Sequence, residues 1–463
     1  MGDTDDRTSD PARWARLLHW LKSSHGMDTR ALAVEARSVA GACIGHGAQR
    51  APSTILFIIP KNALTNLNTL KSLYPQAAET RLSAVQIISL HLLLHRPVGE
   101  EDSLDATFGP YISTLPRSFD SHPLTWLVQR SRKGRMTTEE LILKNLPPSV
   151  TDTLHTLYAR FLEDYQTICL YLNRNRAVLD NASRAKSHLP MPYGTCTSTT
   201  LVSDYCWAWL NVNTRSIYYP IKDADPEKDC LTLCPILDFA NHNEASSQIL
   251  PILEPSPRSP GSHKHSGDFE FRSCSDSTIE DGQQLFLRYG GHSNRTLFVE
   301  YGFVNRFPSD SIANGHFRGN GLGRSRTRSN IGDWLTNALQ EEGYWGEWTL
   351  DSAPEPAHPS YRLITALRLV QLVSALGQPW RDVLSGRRES ISEENEKGWR
   401  DALLKVCERT SRRARTGIDR TVQELAGADG WAAWMRENVL YLWREEAQVA
   451  DAVAQSLRAG EVF

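Results

Sequence analysis

The sequence predicts an α+β fold, and three patterns carry that prediction. Thr54 to Ile59 is a compact apolar run, rich in isoleucine and stopped by Pro60, which reads as a buried strand. Phe269 to Arg272 and Leu285 to Tyr289 read as further strands. Arg81 to His95 and Val150 to Leu172 instead repeat apolar residues at helical spacing, and the pattern from Ile331 to Phe463 is helical.

At 463 residues the chain has room for two or three structural units, since single cores stop growing at about 250–300 residues. The composition is that of a globular protein, 40% hydrophobic and 23% charged with 13 tryptophans, and no apolar run is long enough to span a bilayer. A net charge of −3 gives no argument for DNA or an anionic membrane as partner. Met1 to Asp10 is acidic and polar and lacks the basic-then-apolar pattern of a secretory signal, so the expected location is cytoplasmic and/or nuclear.

The eight cysteines, Cys43, Cys169, Cys196, Cys206, Cys230, Cys234, Cys274 and Cys407, are scattered. The nearest pair, Cys230 and Cys234, has three residues between its members and no second pair to complete a zinc site. His263 and His265 are too isolated to argue for a metal. Reduced thiols and no metal are the expectation.

In chain order, Trp14, Leu17, Leu18 and Leu21 make Pro11 to Ser24 an amphipathic helix, which Gly26 breaks. Pro110, Pro116 and Pro123 mark loop-like stretches, and Trp126 among them reads as core. Tyr205 to Tyr219 opens as a helix, with Ser216 to Ile221 strand-prone. Pro251 to Gly267 is rich in Pro, Ser and Gly, as in a surface loop. Gly315 to Arg328 is glycine-rich and basic, a linker or arm on which Arg324, Arg326 and Arg328 share one side if extended.

Two strings carry chemistry. The first is Pro235-Ile236-Leu237-Asp238-Phe239-Ala240-Asn241-His242-Asn243. The second runs from Gly282 to Tyr289 and closes with Asn294 and Glu300-Tyr301-Gly302-Phe303-Val304. Taken alone, an Asp-x-x-Asn-His string serves equally as a turn or a helix cap, and each aromatic serves equally as core. Together, in this order and separation, they resemble the catalytic half of SET-domain protein-lysine methyltransferases, most of all the Rubisco large-subunit methyltransferase-like branch.

That resemblance implies a β-rich SET core of short strands with a helical insertion, followed by an all-α C-terminal domain that helps hold protein substrates. The boundaries would be an N-terminal helix at 1–30, the first half of the core at 31–80, the insertion at 81–200, the catalytic half at 201–305 and the C-terminal domain at 306–463. The implied activity is transfer of a methyl group from S-adenosylmethionine to a lysine of a non-histone protein, such as a ribosomal protein or a translation factor. Tyr289 matches the catalytic tyrosine. Asn241, His242 and Arg215 match cofactor contacts, and Asp238, Tyr301 and Phe303 match the substrate side. The family's Gly-x-Gly cofactor loop falls on Gly41-Ala42-Cys43, next to Ala40, so its second glycine is replaced by Cys43. A glycine there lets the backbone approach a ligand, and a cysteine adds a Cβ and a thiol. Cys43 therefore leaves open a SET fold kept as a protein-binding module, and a SET scaffold turned to small-molecule chemistry.

Overall fold

The architecture is that of a computed structural model, which describes residues 11–38, 42–46, 51–77, 81–130, 136–183, 199–222, 224–244, 247–252, 267–274, 278–306, 316–318, 330–372 and 378–463. The chain opens with α1 (Pro11–His25), β1 (Val34–Ser38), β2 (Ala42–His46), β3 (Ile55–Ile59), β4 (Thr65–Asn66) and α2 (Leu67–Leu70). A helical stretch follows: α3 (Ala84–Leu94), α4 (Gly109–Ile112), α5 (Pro123–Gln129), α6 (Thr138–Asn145), α7 (Pro148–Arg174) and α8 (Thr199–Arg215). Short strands return as β5 (Ile217–Tyr218), β6 (Leu231–Leu233), β7 (Asn241–His242), β8 (Ile249–Ile252), β9 (Phe269–Ser273) and β10 (Gln284–Leu287), and α9 (Asn294–Tyr301) ends this part. The remainder holds β11 (His316–Arg318), α10 (Asn330–Glu341), β12 (Thr349–Asp351), β13 (His358–Pro359), α11 (Tyr361–Val370), α12 (Gln378–Leu384), α13 (Glu393–Glu424) and α14 (Gly430–Ala459).

The chain forms two units, one of Met1–Gly134, His155–His292 and Glu300–Gly302, the other of Arg135–Leu154, Ser293–Val299 and Phe303–Phe463. In the first, the strands make three small sheets in the orders β1-β2-β10-β7, β3-β9-β8 and β4-β6-β5. The β10–β7 pair is parallel, with Phe286 opposite Asn241 and Leu287 opposite His242, whereas β10 meets β2 antiparallel. Parallel neighbours cannot be joined by a tight turn. The chain leaves β7, builds β8 and β9 in another sheet, and returns as β10, which brings the two sequence strings side by side.

The helices of this unit are buried on the faces their sequence marks. In α3 every residue from Ile87 to Leu94 is buried. Ser83 caps it, its hydroxyl accepting from Gln86 N while the Gln86 side chain accepts from Ser83 N. Phe161 of α7 packs edge-on to Trp209 of α8 with ring centroids 5.8 Å apart, and Trp126 is buried as expected.

Three sequence expectations are corrected. The stretches marked by Pro110 and Pro123 are short helices, because a proline in the first turn lacks only an N–H that a helix start leaves unbonded anyway. Pro251 stands in β8, not a loop, opposite Phe271; β8 is an edge strand, where a missing donor costs no ladder bond. The C-terminal region is not all-α, since β11, β12 and β13 form a three-stranded sheet within it. Each of those strands is two or three residues long, too short for its alternation to register against long helical patterns. The Gly315 to Arg328 arm lies outside the described residues apart from His316 to Arg318, which are the strand β11.

In the second unit α13 and α14 pack along their length over a core that includes Leu363, Leu367, Trp380, Trp399, Leu403, Val449 and Val453. Gly417 of α13 is the point of closest approach: a Cβ there would sit 2.4 Å from the Trp443 indole. The ring is held, because Trp443 Nε1 donates to Asn145 O at 2.8 Å. Alanine would gain up to about 1 kcal/mol of helix propensity but must overpack this contact, at a cost of about 1–3 kcal/mol. Gly417→Ala is therefore expected to lower the denaturant midpoint, whereas an unchanged or raised midpoint would show that the helices separate freely here.

Candidate active site

A cavity of about 270 Å³ opens in the first unit where the end of α8, the Leu237–Phe239 turn, β10 and the end of α9 converge. Arg215, Asp238, Ala240, Tyr289 and Tyr301 line it together with Leu237, Phe269 and Leu287. Four of the residues marked in the sequence therefore meet in one place, although they come from separate segments of the chain.

The turn carrying Asp238 is strained. Ile236 has φ +71° while its side chain is fully buried, a conformation that β-branched residues rarely adopt. It swings Asp238 toward the cavity, where Tyr111 of α4 donates its hydroxyl to Asp238 Oδ2 at 3.2 Å. Arg215 Nη1 donates to the Asp238 carbonyl at 3.0 Å. Asp238 Oδ1 is buried with no hydrogen-bond partner. Burial raises the Asp238 pKa to about 6, against the opposing pull of the Arg215 charge and the Tyr111 hydrogen bond.

Tyr289 follows β10. Its hydroxyl donates to Ala240 O at 2.8 Å, and its N–H donates to His242 Nδ1 at 3.1 Å. Burial pushes the phenol up to about 12, so it is neutral at physiological pH. With its proton committed to Ala240, the oxygen offers lone pairs to a ligand and cannot serve as an ionised base. Tyr301 stands beside it with ring centroids 5.1 Å apart. The two rings wall the cavity.

Accepting from Tyr289 N fixes the His242 proton on Nε2. Burial lowers its pKa, which keeps the ring neutral. The His242 ring is thus engaged in holding Tyr289, and what it can offer a ligand is its backbone. Asn241 and His242 are half-buried on β7, continuing directly from Ala240 of the cavity wall. Ala42 and Cys43 lie on β2, with β10 between that strand and β7. Ala40 and Gly41 lie outside the described residues, as do the side chains of Ala42 and Cys43. Phe303 belongs to the second unit and is not part of the lining. Asn294 also belongs there, where its Oδ1 accepts from Asn305 N at 2.7 Å and its Nδ2 donates to Glu445 Oε1 at 3.1 Å.

Two supporting residues were missed by sequence reasoning. Tyr111 follows Pro110 in a stretch that reads as a loop, and its partner Asp238 lies 127 residues away. His122 is buried, accepts from Leu124 N at its Nδ1 and meets Glu300 O at 3.2 Å through Nε2. It backs the turn after Tyr301, where Gly302 has φ +83° and a Cβ would come within 3.2 Å of the His122 ring. Nothing near Pro123 in the sequence announces that contact.

Burial lowers His122 to about 4, against about 6.5 when unfolded. Between those pH values the unfolded chain binds the extra proton, so this group's stabilising contribution is full above pH 6.5 and declines as pH falls toward 4. His122→Asn, which can still accept from Leu124 N, is expected to flatten the fall of melting temperature over that window. An unaltered pH dependence would remove His122 as its source.

No family model matches the chain. Ribosomal lysine N-methyltransferase set11 of Schizosaccharomyces pombe is 26% identical over 335 residues, covering 72% of this chain and 69% of that protein. SET domain-containing protein 4 of Homo sapiens is 31% identical over 209 residues, covering 43% of this chain and 42% of that protein. The crystal structure of the SET domain of LSMT bound to lysine and AdoHcy superposes with TM-score 0.61 at 17% identity, covering 97% of this chain and 93% of that one. The chain has the SET fold of that structure. In that SET fold the parallel β7–β10 pair and the cavity beside it are formed by the two strings that the sequence singled out.

Proposed function

We propose that the chain is an S-adenosylmethionine-dependent protein-lysine N-methyltransferase acting on a non-histone protein, with a ribosomal protein as the substrate class. The observation that carries this reading is the Tyr289 hydroxyl, oriented by Ala240 O in a cavity that also holds Asp238, Arg215 and Tyr301. Similarity to a ribosomal lysine N-methyltransferase supports the substrate class.

The donor set fits the cofactor. The unpartnered Asp238 Oδ1 and the guanidinium of Arg215, whose Nε is also without a partner, supply one acceptor and one cation at the cavity. Asn241, through its side chain, and His242, through its backbone, would hold the cofactor from β7, with the backbone of Ala42 and Cys43 contributing from β2. S-adenosylmethionine supplies an electrophilic methyl group.

The protein's own task is to present a neutral amine to it. A free lysine has a pKa of about 10.4 and is mostly protonated at neutral pH. A cavity walled by Tyr289, Tyr301, Leu237 and Phe269 disfavours the ammonium and excludes water. The Tyr289 oxygen accepts an N–H of the amine and so aims its lone pair. Asp238, ionised above about pH 6, would attract the incoming lysine and take part in handling its proton. The second unit would hold the protein substrate, and the enzyme would work in the cytoplasm and/or nucleus.

Two tests follow from this reading. Because Asp238 is ionised only above about 6, the acid limb of the activity profile should rise through that pH, and Asp238→Asn should remove the limb and raise KM for the lysine substrate about ten-fold or more. A limb that persists in the variant would exclude Asp238 as its origin. Calorimetric titration with S-adenosylmethionine tests the substituted loop: the wild type is expected to bind, and Cys43→Gly to bind no more than a few-fold tighter. Binding by Cys43→Gly alone would mark a site that the cysteine has closed.

A further inference from the structure

We propose that His91, His95 and Asp105 form a zinc site at the C-terminal end of α3, a feature independent of the methyltransferase reading. His91 is in the last turn of α3 and His95 is its C-cap, whose backbone N–H donates to His91 O. Asp105 comes from the segment leading into α4. His91 Nε2 lies 3.4 Å from Asp105 Oδ2, and His95 Nδ1 lies 3.5 Å from Asp105 Oδ1. One donor atom from each residue can be chosen so that all lie within 4.8 Å of one another. Zinc bonds of about 2.0–2.1 Å in tetrahedral geometry place ligand atoms roughly 3.3–3.4 Å apart. The His91–Asp105 and His95–Asp105 distances are close to that spacing, each through a different carboxylate oxygen.

The donors are also prepared chemically. His91 is fully buried, and its Nε2 has no hydrogen bond of acceptable geometry although it points at the carboxylate. Its other nitrogen, Nδ1, is paired with the Tyr74 hydroxyl at 2.7 Å; when Nδ1–H donates to that oxygen, the Nε2 lone pair faces the carboxylate. His95 is 6% exposed, and its Nδ1 lies toward the same carboxylate. Asp105 faces both rings with its two carboxylate oxygens, and its side chain is 8% exposed. Imidazole nitrogens with a single carboxylate favour zinc over magnesium or calcium. Ser183 Oγ, 2.9 Å from His95 Nδ1, stands beside the position left for a fourth ligand.

The site has a structural consequence. Asp105 starts α4, its Oδ2 accepting from Phe108 N at 2.5 Å and its carbonyl accepting from Gly109 N at 3.1 Å. That helix carries Tyr111, which holds Asp238 at the cavity. A metal on Asp105 would pin the base of this chain of contacts. The cysteines all lie outside the donor set, and the sequence reading expected no metal because it searched for clustered cysteines and passed over two histidines inside an apolar helix.

The test uses the full chain, produced with zinc in the medium, desalted, and measured for metal by mass spectrometry. About one zinc per chain is expected in the wild type, and at least a ten-fold loss in Asp105→Asn and His95→Gln. The wild type refolded with cobalt(II) should show visible d–d absorption without sulfur-to-cobalt charge transfer, a readout that holds even if the variants fail to fold. A folded wild type that carries no zinc and takes up no cobalt would overturn the proposal. So would undiminished zinc in both variants, or a charge-transfer band assigning the metal to cysteine.

Discussion

Tyr289→Phe is expected to lower methyl transfer at least about 100-fold, the scale seen when one positioned polar group is removed from a reaction centre, while cofactor affinity changes little. Among the described residues the hydroxyl's partner is Ala240 O at 2.8 Å, and its ring is braced by Tyr301 at 5.1 Å. Phenylalanine preserves the ring packing and the Tyr289 N–H bond to His242, so the strand register and the cavity walls survive. What disappears is the oxygen that holds the lysine amine. Because burial pushes the phenol up to about 12, its titration cannot generate an activity limb near neutrality. The variant should therefore reduce kcat across the pH range without shifting the profile. Full turnover by the variant, or a simple rise in KM, would remove Tyr289 from the catalytic role.

Asn241→Ala is expected to weaken S-adenosylmethionine binding by about 10- to 100-fold, since a hydrogen bond to a charged group is worth about 1.5–3 kcal/mol. Asn241 is held in register opposite Phe286 by the parallel β7–β10 pair, so the truncation removes a side chain and leaves the ladder. Its half-buried position should make the loss of folding stability small beside the loss of affinity. Calorimetry of the variant, with a thermal melt as the control for folding, separates the two. An unchanged dissociation constant would place the cofactor elsewhere.

The sequence exposed those parts of the fold whose information is local. Thr54 to Ile59 became β3, and the helix expected from Pro11 to Ser24 runs Pro11–His25. Helices beginning at proline were misread because proline signals both turn and helix start, and only the capping contacts distinguish them, as with His122 Nδ1 and Leu124 N. Within the helical pattern read from Ile331 to Phe463, α13 runs Glu393–Glu424. Its second half looks polar until α14 covers Ala414, Gly417 and Thr421.

The site was legible as two strings because Asp238, Asn241, His242, Tyr289 and Tyr301 keep their order and separation. Of these, the structure gathers Asp238, Tyr289 and Tyr301 at one cavity with Arg215, and sets Asn241 and His242 on the adjoining strand. The supports were not legible. Tyr111 and His122 reach Asp238 and Glu300 over 127 and 178 residues, and single buried polar residues leave no periodic trace. The hydrogen bond from Tyr289 N to His242 Nδ1 was not legible either, because it depends on how the two strings meet in the fold.

The central claim is that this cavity methylates lysine. The direct measurement is incubation of the wild type and Tyr289→Phe with methyl-labelled S-adenosylmethionine and a ribosomal-protein fraction, followed by acid hydrolysis and separation of the amino acids. The account predicts label in methyl-lysine with the wild type and at least about 100-fold less with the variant. Label in another amino acid, or equal label from both proteins, would contradict it.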